Sequence, residues 1–220
     1  MKIGDEAWSE LIISGARELG VAVNRDQTTQ FVQYGRELLR WNRKTNLTAI
    51  TKPREVALKH FVDSLAPVPV IPLNAAVLDI GCGAGLPGIP LRILRPDLDM
   101  TLIDGVRKKI SFVKTMIHTL NLERIKALNA RAEQLSQKAD QSQRYQVVVC
   151  RALADAAKAV SWGLPFLAPG GMIMLLKGVL AEKESKPLKA LVDKKKLALE
   201  VKEYQLPHTT FKRVLIKVSR

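Results

Sequence analysis

The chain has 220 residues, 47% of them hydrophobic, which is enough for a packed core and excludes a disordered chain. Thirty-five Lys and Arg against 21 Asp and Glu leave a net charge of +14, and such an excess favours a polyanionic partner such as a nucleic acid. No apolar run reaches the roughly 20 residues of a membrane span, the acidic N-terminus lacks a secretory signal, and two cysteines make no disulfide framework, so we expect a cytoplasmic protein.

The first 65 residues predict three amphipathic helices. The first spans about residues 6–19, the second about Thr28–Arg43, and the third begins near Pro53, a residue type that is favoured in a first helical turn. Three prolines between residues 67 and 72 then prevent any helix from continuing. We therefore expect a helical N-terminal extension of residues 1–72 ahead of a second unit of residues 73–220.

The second unit predicts strands that alternate with helices. Five short and mostly apolar strands are expected at Ala76–Ile80, Met100–Ile103, Ile125–Leu128, Gln146–Cys150 and Met172–Leu176. Helices are expected between them, including one from about Pro87 to Arg95 and one from about Arg107 to Leu120. This alternation is typical of βαβ units, in which a parallel sheet is buried on both faces.

The tail departs from that alternation. A Lys-rich helix is predicted around residues 180–196, and two further strands are predicted at Leu197–Gln205 and Phe211–Val218. A Pro-containing turn joins the two strands, which indicates a closing antiparallel pair. The sequence thus predicts an α/β fold with seven strands, most of them parallel.

A glycine-rich loop, VLDIGCGAGLPG at residues 77–88, follows the first strand and carries two overlapping patterns. Gly83, Gly85 and Gly88 fit the dinucleotide pattern G-x-G-x-x-G, and residues 79–85 fit D-x-G-x-G-x-G. Glycines let the backbone approach a ligand closely in either case, and the following helix points its N-terminal amides at that ligand. The loop alone therefore does not choose between the two ligands.

Asp79, at the end of the first strand, separates the two interpretations. A dinucleotide site places a pyrophosphate at this loop, and an extra carboxylate would repel it. S-adenosyl-L-methionine (S-adenosylmethionine) instead presents a cationic sulfonium and an ammonium group there, which a carboxylate stabilises. The alternatives are that Asp79 caps a helix, and that the chain is an NAD(P)-dependent oxidoreductase.

Two further positions support a nucleoside ligand. Asp104 ends the second strand, where a carboxylate accepts hydrogen bonds from ribose hydroxyls, although it also suits a turn. Ala132 and Glu133 follow the third strand, where the methyltransferase layout places the adenine; the alternative for Glu133 is a surface helix charge. A Pro-Gly-Gly turn at residues 169–171 precedes the fifth strand, as in methyltransferases of this class.

Three stretches are more specific than the general methyltransferase pattern. Residues 79–91 read DIGCGAGLPGIPL, residues 41–48 read WNRKTNLT ahead of HFVDSL at 60–65, and Cys150-Arg151-Ala152 ends the fourth strand. In these stretches the chain resembles the RsmG (GidB) family of bacterial 16S ribosomal RNA guanine-N7 methyltransferases, from about residue 30 onwards and more weakly past 180. The first 20 residues and the Lys-rich stretch 183–196 match no feature of that family.

The resemblance implies a class I methyltransferase fold, Rossmann-like, with residues 73–220 as the methyltransferase domain. It implies methyl transfer from S-adenosylmethionine to N7 of a guanine in the decoding-region loop of 16S ribosomal RNA. It implies that the 16S ribosomal RNA or the 30S subunit is the partner. From the residues themselves we expect a monomer without a membrane partner, and no metal, because three scattered histidines and two separated cysteines make no ligand set. The residues implied by the resemblance are Gly81 and Leu86 in the cofactor loop, Asp104 at the ribose, Ala132 and Glu133 at the adenine, and Arg151 between cofactor and substrate. The D-x-G-x-G-x-G pattern adds Asp79, Gly83 and Gly85 to the expected cofactor-binding residues.

Arg151 fits this chemistry independently. Guanine N7 is a neutral nitrogen with an available lone pair, so the reaction needs positioning rather than a general base. A guanidinium there can hydrogen-bond guanine O6 or a phosphate. The alternative for Arg151 is a structural ion pair with a carboxylate.

Other interpretations remain open from the sequence. Cys150 could be the nucleophile of a C5-pyrimidine RNA methyltransferase, although a small buried core residue is favoured. His60 and Asp63 share a helix face, either as a hydrogen-bonded core pair or near the cofactor. Trp41 or Tyr34 could stack on RNA beside arginines, or belong to the core. The chain could also be an RNA-binding assembly factor without turnover.

Overall fold

The computed structural model describes residues 1–137, 142–151 and 155–220, and its centre is one seven-stranded sheet. The strand order is β3-β2-β1-β4-β5-β7-β6, with β1 to β5 parallel and β7 antiparallel to both β5 and β6. The mostly parallel sheet and its closing antiparallel pair are confirmed. The strands are β1 Ala76–Ile80, β2 Asp99–Asp104, β3 Ile125–Asn129, β4 Tyr145–Arg151, β5 Leu167–Lys177, β6 Ala198–Gln205 and β7 Lys212–Ser219.

Helices pack on both faces of this sheet, so its central strands are almost wholly apolar. Val77 and Leu78 of β1 and Val147 to Val149 of β4 are fully buried, as expected for parallel strands covered on both sides. The helices are α1 Glu6–Glu18, α2 Arg25–Thr45, α3 Pro53–Glu55, α4 Gly88–Leu94, α5 Arg107–Thr119, α6 Ala132–Leu135, α7 Ala156–Gly163 and α8 Glu182–Lys195. Short 3₁₀ turns lie at Val68–Val70 and Leu164–Phe166.

The first two helices begin at side-chain caps that the sequence supplies. Asp5 accepts a hydrogen bond from the backbone N–H of Trp8 at 2.8 Å. Asn24 and Gln27 form a reciprocal capping box at the start of α2, which satisfies two amides that would otherwise be unpaired. α2 ends where Asn46 adopts a left-handed conformation with φ 49°, a usual helix stop.

The predicted third helix is α-helical for only three residues and continues as a π-helical segment, Val56–Val62. Such segments are rare and occur often at functional sites. Its residue Phe61 is the centre of an aromatic cluster, with ring centroids 5.9, 5.2 and 5.1 Å from Trp8, Phe31 and Tyr34. The N-terminal helices thus share one apolar cluster with the sheet face that α4 and α5 cover. The boundary at residues 72 and 73 stays a prediction.

Tyr34 and Trp41, the two residues considered for stacking on RNA, both belong to this aromatic cluster or pack against it. Tyr34 is fully buried, so its ring is not available to a base. Trp41 is half-buried and packs edge-on against Phe112, with ring centroids 5.6 Å apart, which agrees with a place in the core.

β5 differs from the prediction because it begins five residues earlier, at Leu167. The Pro-Gly-Gly stretch that predicts a turn lies inside the strand, where Tyr145 pairs with Leu167 and Val147 pairs with Met172. Gly170 supplies the positive φ of 71° at this irregularity. A bulge of this kind admits proline and glycine without ending the strand.

Candidate active site

The glycine-rich loop runs from the end of β1 to the start of α4. Gly81, Gly83 and Gly85 have φ values of 70°, 56° and 87°, a region that disfavours residues with a side chain. The amides of Gly81 and Cys82 both donate to the carbonyl of Ile103, at 2.9 and 3.0 Å. The loop is therefore held over the end of β2.

Asp104 fixes this loop from the end of β2. One carboxylate oxygen accepts the amide of Gly83 at 3.0 Å, and the other accepts the amide of Val106 at 2.7 Å. The ammonium of Lys109 lies 3.9 Å away. Each oxygen keeps a second lone pair, so the carboxylate has capacity to accept hydrogen bonds from a ligand.

A pocket of ≈ 390 Å³ opens beside Asp104, at the carboxyl ends of β1, β2 and β3; we call this side of the sheet the carboxyl edge. Ligands of open parallel sheets bind at such an edge, where the strand order reverses, here between β1 and β4. The pocket is lined by Ile80, Gly81, Ile103, Asp104, Gly105, Ala130, Arg131, Ala132, Glu133, Lys158 and Trp162.

Four of the predicted site residues line this pocket, namely Gly81, Asp104, Ala132 and Glu133. Lys158 and Trp162 of α7 were missed; their spacing of four residues places them on one helix face, with the ammonium 5.0 Å from the indole ring. The sequence shows that the two residues share a helix face, but it does not show that this face of α7 points to the pocket. Gly83, Gly85 and Leu86 lie in the loop behind the pocket, and Leu86 is buried in the core.

Asp79 is fully buried at the end of β1 and does not line the pocket. One of its oxygens accepts the amide of Gly88, the first residue of α4, at 2.9 Å, as a helix cap would. The other oxygen has no hydrogen-bond partner within the described part of the chain. Burial raises the pKa of this carboxyl to about 7, although the Gly88 amide and Arg151 oppose the shift.

Gly88 is the third glycine of the dinucleotide pattern, and its role is packing. A Cβ at this position would lie 2.7 Å from Asp79 Oδ2 and 2.8 Å from Leu102 Cγ, closer than real Cβ contacts. The glycine thus lets α4 begin directly against β1 and β2. A pyrophosphate is not needed to explain it.

We expect Asp79 to make stability depend on pH. Its pKa in the folded protein is about 7, against the ordinary value of 3.8 that applies in the unfolded chain, so between these two values the folded state holds a proton that the unfolded state releases. The stabilisation of the folded state by protonated Asp79 is complete below about pH 4 and is lost as the pH rises through about 7. Urea unfolding of the wild type and Asp79→Asn should show the difference in unfolding free energy falling by about 2–3 kcal/mol between about pH 5 and pH 8. A difference that does not change with pH contradicts this.

Arg151 ends β4 at the carboxyl edge, beneath the π-helical segment. Its guanidinium donates to the carbonyl of Lys59 at 2.8 Å and lies 3.3 Å from His60 Nδ1. It lies 3.6 Å from Asp63 Oδ2, so the ion pair considered as an alternative is present. Burial lowers the pKa of Arg151, and burial and Arg151 lower the pKa of His60 to about 3, so the imidazole is neutral. Ala152 lies outside the described residues.

Asp63 joins this group to the last two strands. Its Oδ1 accepts from Arg213 Nε at 3.0 Å and from the hydroxyl of Tyr204 at 3.3 Å. His60 instead pairs with the hydroxyl of Thr48, at 2.8 Å. The two residues therefore meet at Arg151 rather than forming the expected pair with each other.

The cysteines are placed as core residues. Cys150 and Cys82 are buried, and burial raises the pKa of both thiols well above the usual range. A thiol held in its neutral form is a poor nucleophile, which weighs against the C5-pyrimidine alternative.

In the described ranges, no group of three His, Cys, Asp or Glu could hold a metal ion, and no helix there is long and apolar enough to cross a membrane.

The sequence is similar to a family of known proteins. Residues 27–213 match the family GidB, rRNA small subunit methyltransferase G. A ribosomal RNA small subunit methyltransferase G from Geobacter sp. (strain M21) is 42% identical over 216 residues, covering 98% of this chain and 99% of that one. Another from Anaeromyxobacter dehalogenans (strain 2CP-C) is 44% identical over 174 residues, covering 79% and 80%.

Solved structures resemble the fold at low sequence identity. A SAM-dependent methyltransferase from Aquifex aeolicus has a TM-score of 0.59 at 11% identity, covering 79% of this chain and 96% of the other. TYW2 from P. horikoshii, in complex with MeSAdo, has a TM-score of 0.57 at 13% identity, covering 73% and 62%. These likenesses support the fold alone.

Proposed function

Because the chain belongs to the GidB family, rRNA small subunit methyltransferase G, we propose that it methylates N7 of a guanine in the decoding-region loop of 16S ribosomal RNA. The methyl donor is S-adenosylmethionine. The observation that carries the proposal is the pocket at the carboxyl edge, whose lining combines a glycine loop, the Asp104 carboxylate and apolar walls. We further propose that the protein acts as a cytoplasmic monomer on the ribosomal RNA or the 30S subunit.

The residues of the pocket fit a nucleoside methyl donor. Asp104 accepts from ribose hydroxyls with the lone pairs that Gly83 and Val106 leave free. Ile80, Ile103 and Ala132 offer apolar surface to the adenine, and the exposed Glu133 lines the pocket beside them. When bound, S-adenosylmethionine supplies an electrophilic methyl group on a sulfonium.

Asp79 acts on this site from below the loop. A cationic group near the loop favours the ionised carboxylate, whose pKa of about 7 leaves it easily shifted at neutral pH. Because Asp79 does not line the pocket, its carboxylate would stabilise the cation at a distance. Its hydrogen bond to the amide of Gly88 also fixes the end of the glycine loop. We propose Asp79 as a positioning residue of the cofactor loop.

Arg151 lies one residue beyond Cys150, the partner of the pocket residue Ile80 across β1 and β4. Its fork-shaped donor suits O6 of a guanine whose N7 faces the methyl group. The guanine needs no deprotonation, so the protein contributes orientation and exclusion of water rather than a base. The buried neutral His60 and the carbonyl of Lys59 hold the guanidinium in place.

The proposal is tested by methyl transfer from tritiated S-adenosylmethionine to undermodified 30S subunits and to protein-free 16S ribosomal RNA. We expect label in the RNA, and we expect S-adenosylhomocysteine but not NADH to compete for the pocket. Binding of S-adenosylhomocysteine without any label in the RNA would favour the assembly-factor alternative. Binding of NADH would favour the oxidoreductase.

A further inference from the structure

The turn between β6 and β7 presents an aromatic ring to solvent at the carboxyl edge. Phe211 is 45% exposed, although it directly precedes a strand whose centre is buried. The turn itself is well ordered by hydrogen bonds. Phe211 donates its amide to the hydroxyl of Thr209 at 3.0 Å, and its carbonyl accepts from the amide of Leu206 at 2.9 Å. These bonds tie the backbone that carries the exposed ring to Leu206, which is fully buried.

Lys59 connects this ring to the proposed substrate site. Its carbonyl accepts from Arg151 at 2.8 Å, and its ammonium lies 4.5 Å from the centroid of Phe211. Arg213 provides a second link, since it shares the carboxylate of Asp63 with Arg151 and lies 5.8 Å from the same ring. Phe211 therefore lies on the same edge as Arg151. Lys59 alone stands between them on the first route, and Arg213 and Asp63 stand between them on the second.

The surroundings of the ring are mainly cationic. Lys59, Arg213, exposed Lys212 and exposed Arg54 surround the turn, and Arg54 donates to the carbonyl of His208 at 3.0 Å. Two carboxylates oppose them: Glu55 pairs with Lys59 at 2.8 Å, and Asp63 pairs with Arg213 at 3.0 Å. The positive charge that remains suits a phosphate backbone.

An exposed aromatic ring among cations is the combination that binds single-stranded nucleic acid. Bases stack on aromatic side chains while Lys and Arg contact the phosphates. We propose that the surface of Lys59, Phe211, Lys212 and Arg213 docks an unpaired nucleotide of the ribosomal RNA next to the target guanine, with its base on Phe211. This inference rests on the proposed function, because it assigns a second contact to the same RNA.

The test compares Phe211→Ala and Phe211→Trp with Val201→Ala. Val201, on the edge strand β6, is also 45% exposed and serves as the matched control. Loss of one stacked base should raise the KM for 30S subunits and the Kd for protein-free 16S ribosomal RNA about tenfold in Phe211→Ala. The Trp variant should stay close to the wild type, because it keeps a stacking surface. Val201→Ala should behave as the wild type, and S-adenosylhomocysteine should bind all variants equally.

Several results would overturn this inference. They are an unchanged Kd for RNA in Phe211→Ala, an equal loss in the Trp variant, or weaker S-adenosylhomocysteine binding. A defect on 30S subunits that is absent with protein-free RNA would assign the surface to a ribosomal protein. If the wild type transfers no methyl group, the proposed function fails, whereas the RNA Kd of the same variants still decides the role of Phe211.

Discussion

Asp104→Asn is expected to bind S-adenosylhomocysteine on the order of 100-fold more weakly than the wild type. The carboxylate holds the loop through the amides of Gly83 and Val106 and, in our proposal, accepts from the ribose. In asparagine, an NH₂ group takes the place of one carboxylate oxygen, so a donor would face the backbone amide of Gly83 or Val106, which is also a donor. Losing one hydrogen bond to a charged group costs about 1.5–3 kcal/mol, a factor of about 10 to 150, and the expected 100-fold change lies in that range.

Isothermal titration calorimetry measures this change, and Asp99→Asn is the control. Asp99 is exposed at the opposite end of the same strand, β2, so its replacement makes the same chemical change away from the pocket. We expect its affinity to equal that of the wild type. An Asp104→Asn variant that binds the ligand as tightly as the wild type would remove Asp104 from the cofactor site.

Arg151→Lys is expected to lower kcat for methyl transfer on the order of 100-fold and to leave S-adenosylhomocysteine binding nearly unchanged. An ammonium keeps the charge but loses the planar fork that contacts both Lys59 and His60. Losing an oriented donor at the reacting base costs a factor of this size. The fold should tolerate the change, because Asp63 keeps Arg213 at 3.0 Å.

Single-turnover methyl transfer measures the effect, with urea unfolding as a check on the fold. Arg144→Lys is the control, since Arg144 is exposed just before the opposite end of β4. If Arg151→Lys only destabilises the protein and its single-turnover rate is unchanged, Arg151 is a structural ion-pair residue and not a contact of the substrate.

Much of the fold could be predicted from the sequence because it depends on short local patterns of apolar and turn-forming residues. The bounds of β1 and the antiparallel pairing of β6 and β7 follow from short apolar runs and turns. The start of β5 was not readable, since the bulge that carries Pro169 and Gly170 depends on pairing with β4. The π-helical segment likewise depends on packing that no local pattern encodes.

The pocket residues Gly81, Asp104 and Glu133 were predicted because each lies at or shortly after the end of a strand, and the carboxyl ends of parallel strands meet at one edge. The partners of Arg151 were not found. Lys59 and His60 lie about 90 residues away in sequence, and only the packing of the N-terminal helices brings them to β4. The burial of Asp79 was also missed, because one sequence does not show how closely α4 packs on β1.

Mapping of N7-methylguanine by reductive cleavage tests the central claim most directly. Undermodified 30S subunits are incubated with the protein and S-adenosylmethionine, and the extracted 16S ribosomal RNA is then reduced and cleaved. The account predicts one new cleavage, at a guanine in the decoding-region loop, which is absent when the cofactor is omitted. Incorporated methyl label without any such cleavage, as C5 methylation of a pyrimidine would give, would contradict it.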